Sequence, residues 1–265
     1  MMSTAQTKAR SATQGWLVVL GQSVRELWIG GRGLVLLIAF SLLLSIISYL
    51  VATNEELNLL DQKDTMNLVV QAALAVGIAL SLLLSADAIS GERERETLET
   101  LLLTPVPRRH IAVGKLLAAL TVWPAVLAVT IPYLWVLRAG SELFVDAVIA
   151  SAIVGALLAI AFSCMGLIVS MFSNSNRLSL AVSFFVFVAM VIPTQLSLKG
   201  WLDDALIQIN PMTAGARFMD RLIVNNHTFG QEWTLLLAPV LAALLGLSIA
   251  VYLAGHLRLR AGGGS

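Results

Sequence analysis

The segment Asp87–Lys115, DAISGERERETLETLLLTPVPRRHIAVGK, is the one dense cluster of charge in the chain. Ser90 is a suitable N-cap, the glutamates after it fall where the helix dipole favours anions, and Thr104-Pro105 would end a helix. The pattern therefore predicts a helix over 89–104. Its apolar stripe is narrow, so the helix should lie flat rather than cross a membrane. The stripe consists of Leu98, Leu101 and Leu102.

The sequence on either side of this segment has the composition of a membrane protein. Hydrophobic residues make up 58% of the 265 residues and charged residues 12%, whereas roughly a quarter of a soluble domain is charged. A charge at the centre of a membrane helix costs about 2.5–3.5 kcal/mol on insertion. Six segments contain no charge, and each approaches or exceeds the ~20 residues needed to cross the hydrocarbon. These predicted spans are 34–52, 68–86, 116–137, 147–172, 178–198 and 234–255.

Two further helices are predicted outside the spans. Residues 14–30 alternate apolar and polar faces at helical spacing between Trp16 and Trp28, which is typical of a helix lying in the membrane interface. In the longest loop, Asn210 as N-cap and Pro211 as the first helical residue predict an outer helix over 210–224. The fold class is thus an all-α membrane protein with one domain over 1–260. Residues 261–265, Ala-Gly-Gly-Gly-Ser, are typical of a flexible linker.

The distribution of Lys and Arg predicts the orientation in the membrane. If the amino terminus is cytosolic, 12 of the 17 basic residues fall in inside segments. The positive-inside rule then places both termini and the Asp87–Lys115 segment in the cytosol. We expect a multi-pass protein of the cell membrane (inner or plasma membrane). The five basic residues left outside are Lys63, Arg138, Lys199, Arg217 and Arg221.

Several classes of function are disfavoured by what the sequence lacks. Cys164 is the only cysteine, and the three histidines lie at or beyond the predicted membrane edges without a His-Glu-x-x-His pattern, so an intramembrane hydrolase is not expected. No phosphate-binding Gly-x-x-x-x-Gly-Lys-Ser/Thr motif occurs, and no span contains a carboxylate that could couple transport to an ion gradient. The basic residues follow topology instead of forming a nucleic-acid patch. We therefore expect no catalytic, cofactor or metal site in this chain. If the chain takes part in transport, the energy must come from another protein.

Small residues recur every fourth position in two spans, which lets helix backbones approach closely. The stripes allow two interpretations, packing inside this chain or an interface between two such chains. They are Ser151, Gly155, Ala159 and Ser163 in the fourth span, and Ala238, Ala242, Gly246, Ala250 and Ala254 in the sixth.

Five short motifs around the charged segment carry a family resemblance. They are Gly91-Glu92-Arg93-Glu94-Arg95, Thr97-Leu98-Glu99, Leu103-Thr104-Pro105-Val106, Arg108-Arg109 and Gly114-Lys115-Leu116-Leu117. Together they resemble the region between the second and third helices of ABC-2 type permeases, the membrane subunits of type V ABC transporters. The likeness extends over the interfacial helix, the six spans and the outer helix. Glu96 departs from the pattern, because the family often has glycine there.

The resemblance implies partners and functional residues. A separate ABC ATPase subunit, which binds ATP and Mg²⁺, would dock on the 89–104 coupling helix, and a second permease chain would help to enclose an export pathway. Glu92 and Arg95 are the strongest candidates for contact, since nothing in the sequence is obviously placed to neutralise them. The candidate coupling residues are Glu92, Arg93, Glu94, Arg95, Glu96, Thr97, Leu98, Glu99, Arg108 and Arg109.

Gln71 and Gln195 are the candidates for lining the pathway, because they are the only carboxamides well inside the spans. Hydrogen bonding between helices would explain them equally well, but the first, second and fifth helices tend to line the route in the resembling family. A largely apolar lining would suit a lipid, an amphipathic drug or a lipid-linked glycan. The alternative function is a non-transporting membrane anchor or mechanical relay for an ATPase.

Overall fold

A computed structural model describes residues 3–53, 62–95, 107–137, 143–195, 201–225 and 227–255, and within these ranges the secondary structure is helical, without strands. A short 3₁₀-helix at Trp233–Leu236 leads into the last helix. The α-helices are α1 Ser3–Trp28, α2 Arg32–Thr53, α3 Gln62–Glu94, α4 Arg108–Leu120, α5 Val122–Leu137, α6 Leu143–Phe172, α7 Asn176–Gln195, α8 Trp201–Ile209, α9 Pro211–Ile223, α10 Phe229–Glu232 and α11 Leu237–Ala254.

Six helical stretches in the described ranges are long and apolar enough to cross a membrane, which confirms the six predicted spans. They are Arg32–Leu50, Lys63–Glu94, Arg108–Val136, Phe144–Phe172, Asn176–Gln195 and Phe229–Ala254. The third consists of α4 and α5, which are separated at Thr121. Pro124 accounts for this break, because its ring lacks an N–H and would clash with the carbonyl four residues earlier, at Leu120.

The centre of the bundle is formed by the long helices α3 and α6, with α5 beside them. Half of the apolar stretch of α3 and 56% of that of α6 are buried, against 17% for α2, 11% for α7 and 22% for α11. The helices α2, α7 and α11 therefore leave most of their apolar surface uncovered by this chain.

The small-residue stripe of α6 packs inside the chain. Its four members are buried, and a Cβ at Gly155 would overlap the ring of Trp123 on α5. On α11, a Cβ at Gly246 would lie 3.1 Å from the Cβ of Cys164. Of the two interpretations of these stripes, internal packing is the one that the structure supports.

The prediction that Ser90 begins a new helix is wrong. α3 continues without a break to Glu94, and Ser90 lies inside it, fully buried. Its hydroxyl donates to the carbonyl of Ala86, 2.6 Å away, the bond that a serine makes within a helix. The second span thus projects two further turns beyond Ala86. The remainder of the predicted 89–104 helix, with Glu96, Thr97, Leu98 and Glu99, lies outside the described residues.

The first helix packs on the first half of the third span. Gly114 of α4 permits this contact, because a Cβ there would lie 2.9 Å from Cγ1 of Val19. The indole of Trp28 donates to Thr121 Oγ1 at 3.0 Å. Gly31, with φ of 82°, then takes the left-handed conformation that turns the chain into α2. The placement of residues 14–30 in the membrane interface stays a prediction.

The helix predicted to follow Asn210-Pro211 is confirmed as α9, Pro211–Ile223. Asn210 Oδ1 accepts hydrogen bonds from the backbone of Met212 at 2.9 Å and of Thr213 at 3.4 Å, as expected of an N-cap. Its amide group also donates to the carbonyl of Met190, at 2.9 Å, which fixes the start of α9 against α7. α8, just before it, was not predicted from the sequence.

Candidate functional site

Charged and polar side chains gather where α3 ends, close to the short connection between α6 and α7. We call this group the coupling end and define it as Arg32, residues 87–95, Lys115, residues 170–176 and Ser179. It contains four of the predicted coupling residues, Glu92, Arg93, Glu94 and Arg95. The structure brings them together with groups from α2, α4, α6 and α7.

Arg93 and Glu94 fasten α3 to two other helices. The Arg93 guanidinium donates to the carbonyl of Ser173 and, at 3.4 Å, to that of Met171. These carbonyls are at the C-terminus of α6, where helix geometry leaves them without backbone partners. Glu94 Oε2 accepts from the backbone N–H of Asn176 at 3.0 Å, at the start of α7, where the helix dipole favours an anion. The last turn of α3 therefore holds the end of α6 and the beginning of α7.

Glu92 has its own partner within the chain, which the sequence did not indicate. Its Oε1 lies 2.9 Å from Nζ of Lys115, whose ammonium also donates to the carbonyl of Ala88 at 2.7 Å. The exposed fractions of the two side chains are 20% for Glu92 and 11% for Lys115. The premise that nothing in the chain neutralises Glu92 is thus wrong, because α4 carries Lys115 up to the end of α3.

Asp87 is a central acceptor that sequence analysis missed. It accepts from Asn176 Nδ2 at 2.7 Å and faces Arg32 at 3.6 Å and Arg95 at 3.9 Å. A Cβ on Gly91 would overlap its carboxyl group, so a glycine one turn later makes room for it. One feature of the sequence could have indicated a partner for Asp87. The polar connection Ser173-Asn174-Ser175-Asn176 between two spans is so short that its side chains must lie close to the ends of the helices.

Two buried serines also connect α3 to α6 and α7 by hydrogen bonds. Ser170 Oγ on α6 accepts from the backbone N–H groups of Ile89 at 3.0 Å and Ser90 at 2.8 Å. Ser179 Oγ on α7 donates to the carbonyl of Ala86 at 2.8 Å. All of these are buried, where hydrogen bonds are shielded from competition with water.

Of the predicted coupling residues that the structure describes, Glu94, Arg95 and Arg109 are exposed. Nearly half of the Arg95 side chain is exposed, and its contact with Asp87 is long. A Cβ at Gly255 would lie 2.6 Å from Nε of Arg109. Arg109 therefore lies at the C-terminal end of α11, where the helix dipole favours a cation. Arg108 is half-buried and also has contacts.

A cavity lies at the other end of α3, beside α9. We call it the α9 cavity; its volume is about 650 Å³, and Gln71 and Gln195 both line it. An adjoining pocket of about 150 Å³, which we call the polar corner, is lined by Gln71, Thr194, Thr213, Ala216, Arg217 and Asp220. Two residues chosen from separate spans thus face the same space.

Gln71 of the α9 cavity belongs to a short hydrogen-bonded chain, whereas Gln195 does not. Gln71 Nε2 donates to Asn67 Oδ1 at 3.3 Å, and Asn67 Nδ2 donates to Asp220 Oδ1 at 3.0 Å. Gln195 is exposed and contacts its neighbour Thr194 at 3.3 Å. The hydrogen bond between α3 and α9 is therefore made by Asn67 and not by Gln71 or Gln195.

Acidic residues and histidines of the described part of the chain do not cluster into a group of three that could hold a metal ion. Glu232 accepts from Arg221 at 2.6 Å and is 2.7 Å from His227 Nδ1. A guanidinium in contact with the carboxylate makes this a structural ion pair, which joins α9 to the start of the last span.

Comparison with known proteins adds the family. The model of the family described as ABC-2 family transporter protein matches residues 20–255, which is most of the chain. The chain belongs to the ABC-2 transporter family. None of the curated proteins compared with it matches. As an ABC-2 permease, it is the multi-pass membrane subunit of an ABC transporter, and membership of this family implies an ABC ATPase subunit as partner.

In this ABC-2 permease the coupling end and the α9 cavity lie at opposite ends of the same two helices. α3 carries Gln71 at one end and residues 87–95 at the other, and α7 runs from Asn176 at the coupling end to Gln195 at the cavity. The 17 residues from Gln71 to Asp87 correspond to about 24 Å of helix.

Proposed function

We propose that the chain is the permease of an ATP-driven exporter in the cell membrane. Its coupling end faces the cytosol and meets the ATPase subunit through Arg95 and the segment that follows it, and through Arg108 and Arg109. ATP and Mg²⁺ bind in that subunit, and this chain binds no cofactor of its own. The outward direction rests on the resemblance to type V ABC transporters, and the cytosolic placement rests on the positive-inside rule.

The observation that carries this proposal is the double attachment of α3 at the coupling end. Arg93 holds the end of α6 and Glu94 holds the start of α7, and α3, α6 and α7 all contribute walls to the α9 cavity. Helices transmit displacement along their axes because their backbone hydrogen bonds resist compression. A movement of the segment after Arg95, produced by ATP binding in the partner, would therefore change the shape of the cavity.

A second permease chain completes the pathway in this proposal. α2 and α7 are mostly unburied, although both are apolar along their length. Lipid can cover part of such a surface, and a second chain facing α2, α3 and α7 would cover the rest. The resembling family places its route along the corresponding first, second and fifth spans.

The α9 cavity also favours transport over the alternative of a membrane anchor or mechanical relay. An anchor needs only apolar helices and a docking surface, whereas a space of about 650 Å³ with polar groups on its wall is the size of a ligand pocket. ATP hydrolysis that is stimulated by a substrate would support the transporter; hydrolysis without such stimulation is expected of an anchor.

The test begins with purification of the tagged chain from its own cells in a mild detergent. We expect an ABC ATPase subunit in the eluate. Arg95→Ala should weaken its retention without changing the melting temperature of the permease, because Arg95 is half exposed and makes only a long contact with Asp87. Glu99→Ala should also weaken retention. Glu92 is unsuitable for this test because it pairs with Lys115.

Arg25→Ala provides the matched control, since Arg25 is an exposed arginine on α1. Its retention of the ATPase should equal that of the wild type. If no ATPase subunit is retained, even after chemical cross-linking in membranes, the proposed coupling is refuted. If Arg25→Ala and Arg95→Ala reduce retention equally, a general effect of surface charge explains the result, and the docking site at Arg95 is refuted.

A further inference from the structure

A groove at the coupling end lies between α2, α3 and α7. We call it the α2–α7 groove; its volume is about 660 Å³, and among the described residues it shares no lining residue with the α9 cavity. The turn Gly30-Gly31, just before α2, also lines it. Its apolar lining residues are Val35 and Leu36 on α2, Leu80, Leu83 and Leu84 on α3, and Leu180 on α7.

The polar residues of the α2–α7 groove all lie at its coupling end. They are Arg32 on α2, Asp87 and Arg95 on α3, and Asn176 on α7, and on each helix the apolar lining residues lie deeper in the bundle. Positions 32, 87 and 176 are each within two residues of the end of a predicted span. The groove therefore has a polar end at the level expected for lipid headgroups and an apolar end at the level of the hydrocarbon.

The polar end of the groove has an excess of positive charge, because two arginines share one carboxylate. Asp87 Oδ2 lies 3.6 Å from Arg32 and 3.9 Å from Arg95, while Asp87 Oδ1 accepts from Asn176 at 2.7 Å. The side chains of Arg32 and Arg95 are 58% and 48% exposed, and both contacts are longer than a hydrogen bond. Both guanidinium groups thus retain N–H groups for an anion.

The charges of an adjoining pocket, of about 300 Å³, do not line the groove in the described part of the chain. Of these residues, Glu92 pairs with Lys115 at 2.9 Å, and Glu26 is an exposed residue of α1 that accepts from Gln22 at 3.1 Å. The charged groups that line the groove itself are the two arginines and Asp87, with a net charge of +1.

We propose that the α2–α7 groove binds one anionic phospholipid of the cytosolic leaflet as a resident lipid of the permease. One acyl chain lies against the apolar residues of α2, α3 and α7, and the phosphate accepts charge-assisted hydrogen bonds from Arg32 and Arg95. A lipid with one net negative charge neutralises the excess positive charge, whereas phosphatidylcholine adds an ammonium group along with its phosphate. The choice of leaflet rests on the proposed function, in which the coupling end faces the cytosol; the binding itself does not.

The binding test is native mass spectrometry of the full chain in a mild detergent. Phosphatidylglycerol and phosphatidylcholine with identical acyl chains are added in equal amounts. We expect one phosphatidylglycerol per chain, bound about tenfold more tightly than phosphatidylcholine, as is typical of a hydrogen bond between charged groups. Glycerol 3-phosphate, which has the phosphate without the acyl chains, should not displace it at equal concentration.

Three variants locate the binding. Arg32→Gln should reduce the affinity for phosphatidylglycerol about tenfold, to that for phosphatidylcholine. The melting temperature in lipid-free detergent should not change, because Arg32 is exposed and its contact with Asp87 is long. Arg25→Gln is the matched control, since Arg25 is an exposed arginine of α1 that does not line the groove, and its affinity should equal that of the wild type. Leu180→Trp fills the apolar end and should weaken the binding of both lipids equally. Arg95 is left unchanged because it is also the proposed ATPase contact.

Four results would overturn the inference: equal binding of the two lipids to the wild type, equal effects of Arg25→Gln and Arg32→Gln, no effect of Leu180→Trp, or displacement by glycerol 3-phosphate, which would indicate a site for free phosphate. Two chains joined without lipid and separated by Leu180→Trp would also overturn it, because a second copy would then cover the groove.

The lipid proposal and the proposed function fail separately. The permease is measured without its ATPase, so a lack of lipid selectivity leaves the association tested with Arg95→Ala untouched. Conversely, failure to retain an ATPase subunit would refute the proposed coupling, while selective binding of phosphatidylglycerol would still be measured.

Discussion

The pair formed by Glu92 and Lys115 should behave as a half-buried ion pair whose loss weakens the fold. The two charges are 2.9 Å apart, and their side chains are only 20% and 11% exposed. At an effective dielectric constant of about 20 their attraction amounts to about 6 kcal/mol, most of which is offset by the cost of removing both charges from water. Fully exposed pairs contribute about 0–1 kcal/mol, and removal of one partner of a buried pair costs about 3–5 kcal/mol.

We therefore expect Glu92→Gln to reduce the free energy of unfolding by about 1–3 kcal/mol, between those limits. For a chain of this size, that corresponds to a fall in melting temperature of about 2–12 °C. The measurement is loss of helical circular dichroism in phosphatidylcholine bicelles titrated with dodecyl sulfate. A double-mutant cycle with Lys115→Met isolates the interaction between the two side chains. Lys115→Met also removes the bond to Ala88, which the cycle cancels.

Glu26→Gln is the matched control, since Glu26 is an exposed glutamate on α1 that bonds only to Gln22 among the contacts described. It should change stability by no more than about 0.5 kcal/mol. The reasoning is refuted if Glu92→Gln is as silent as the control, or if the cycle gives no coupling between Glu92 and Lys115. Either result would mean that Glu92 is not held by Lys115 and is available to contact a partner subunit, as the sequence suggested.

Three further predictions concern packing, capping and topology. Gly155→Leu places four carbons where the ring of Trp123 already lies, so it should destabilise the chain by about 1–3 kcal/mol in the same unfolding assay; stability equal to that of the wild type would contradict the packing. Asn210→Ala removes the N-cap of α9 and the bond to α7, and should cost about 1–3 kcal/mol, whereas Asn210→Asp should retain the cap and lose only the bond. In a chain without other cysteines, a cysteine at Thr228 should react with an impermeant thiol reagent on whole cells and one at Glu99 should not; the reverse pattern would invert the predicted orientation.

The sequence alone determined the elements that depend on local chemistry. Six charge-free segments predicted six spans because the cost of a buried charge acts residue by residue, and Asn210-Pro211 predicted α9 because a cap bonds to the backbone two and three residues away. The motifs between Gly91 and Leu117 also indicated the ABC-2 family, because a sequence motif consists of residues that are close together in the chain.

The tertiary structure decided what the charged residues contact. Ser90 has the chemistry of an N-cap, yet its burial against Ser170 and its bond to Ala86 keep it inside α3. Glu92 pairs with Lys115 on α4, and Glu94 accepts a hydrogen bond from Asn176 on α7. These partners are 23 and 82 positions away in the sequence. Gln71 and Gln195 could each be selected from the sequence, but only the packing of α3, α7 and α9 brings them to one cavity. A side chain's charge is a local property, whereas its partner depends on which helices lie side by side.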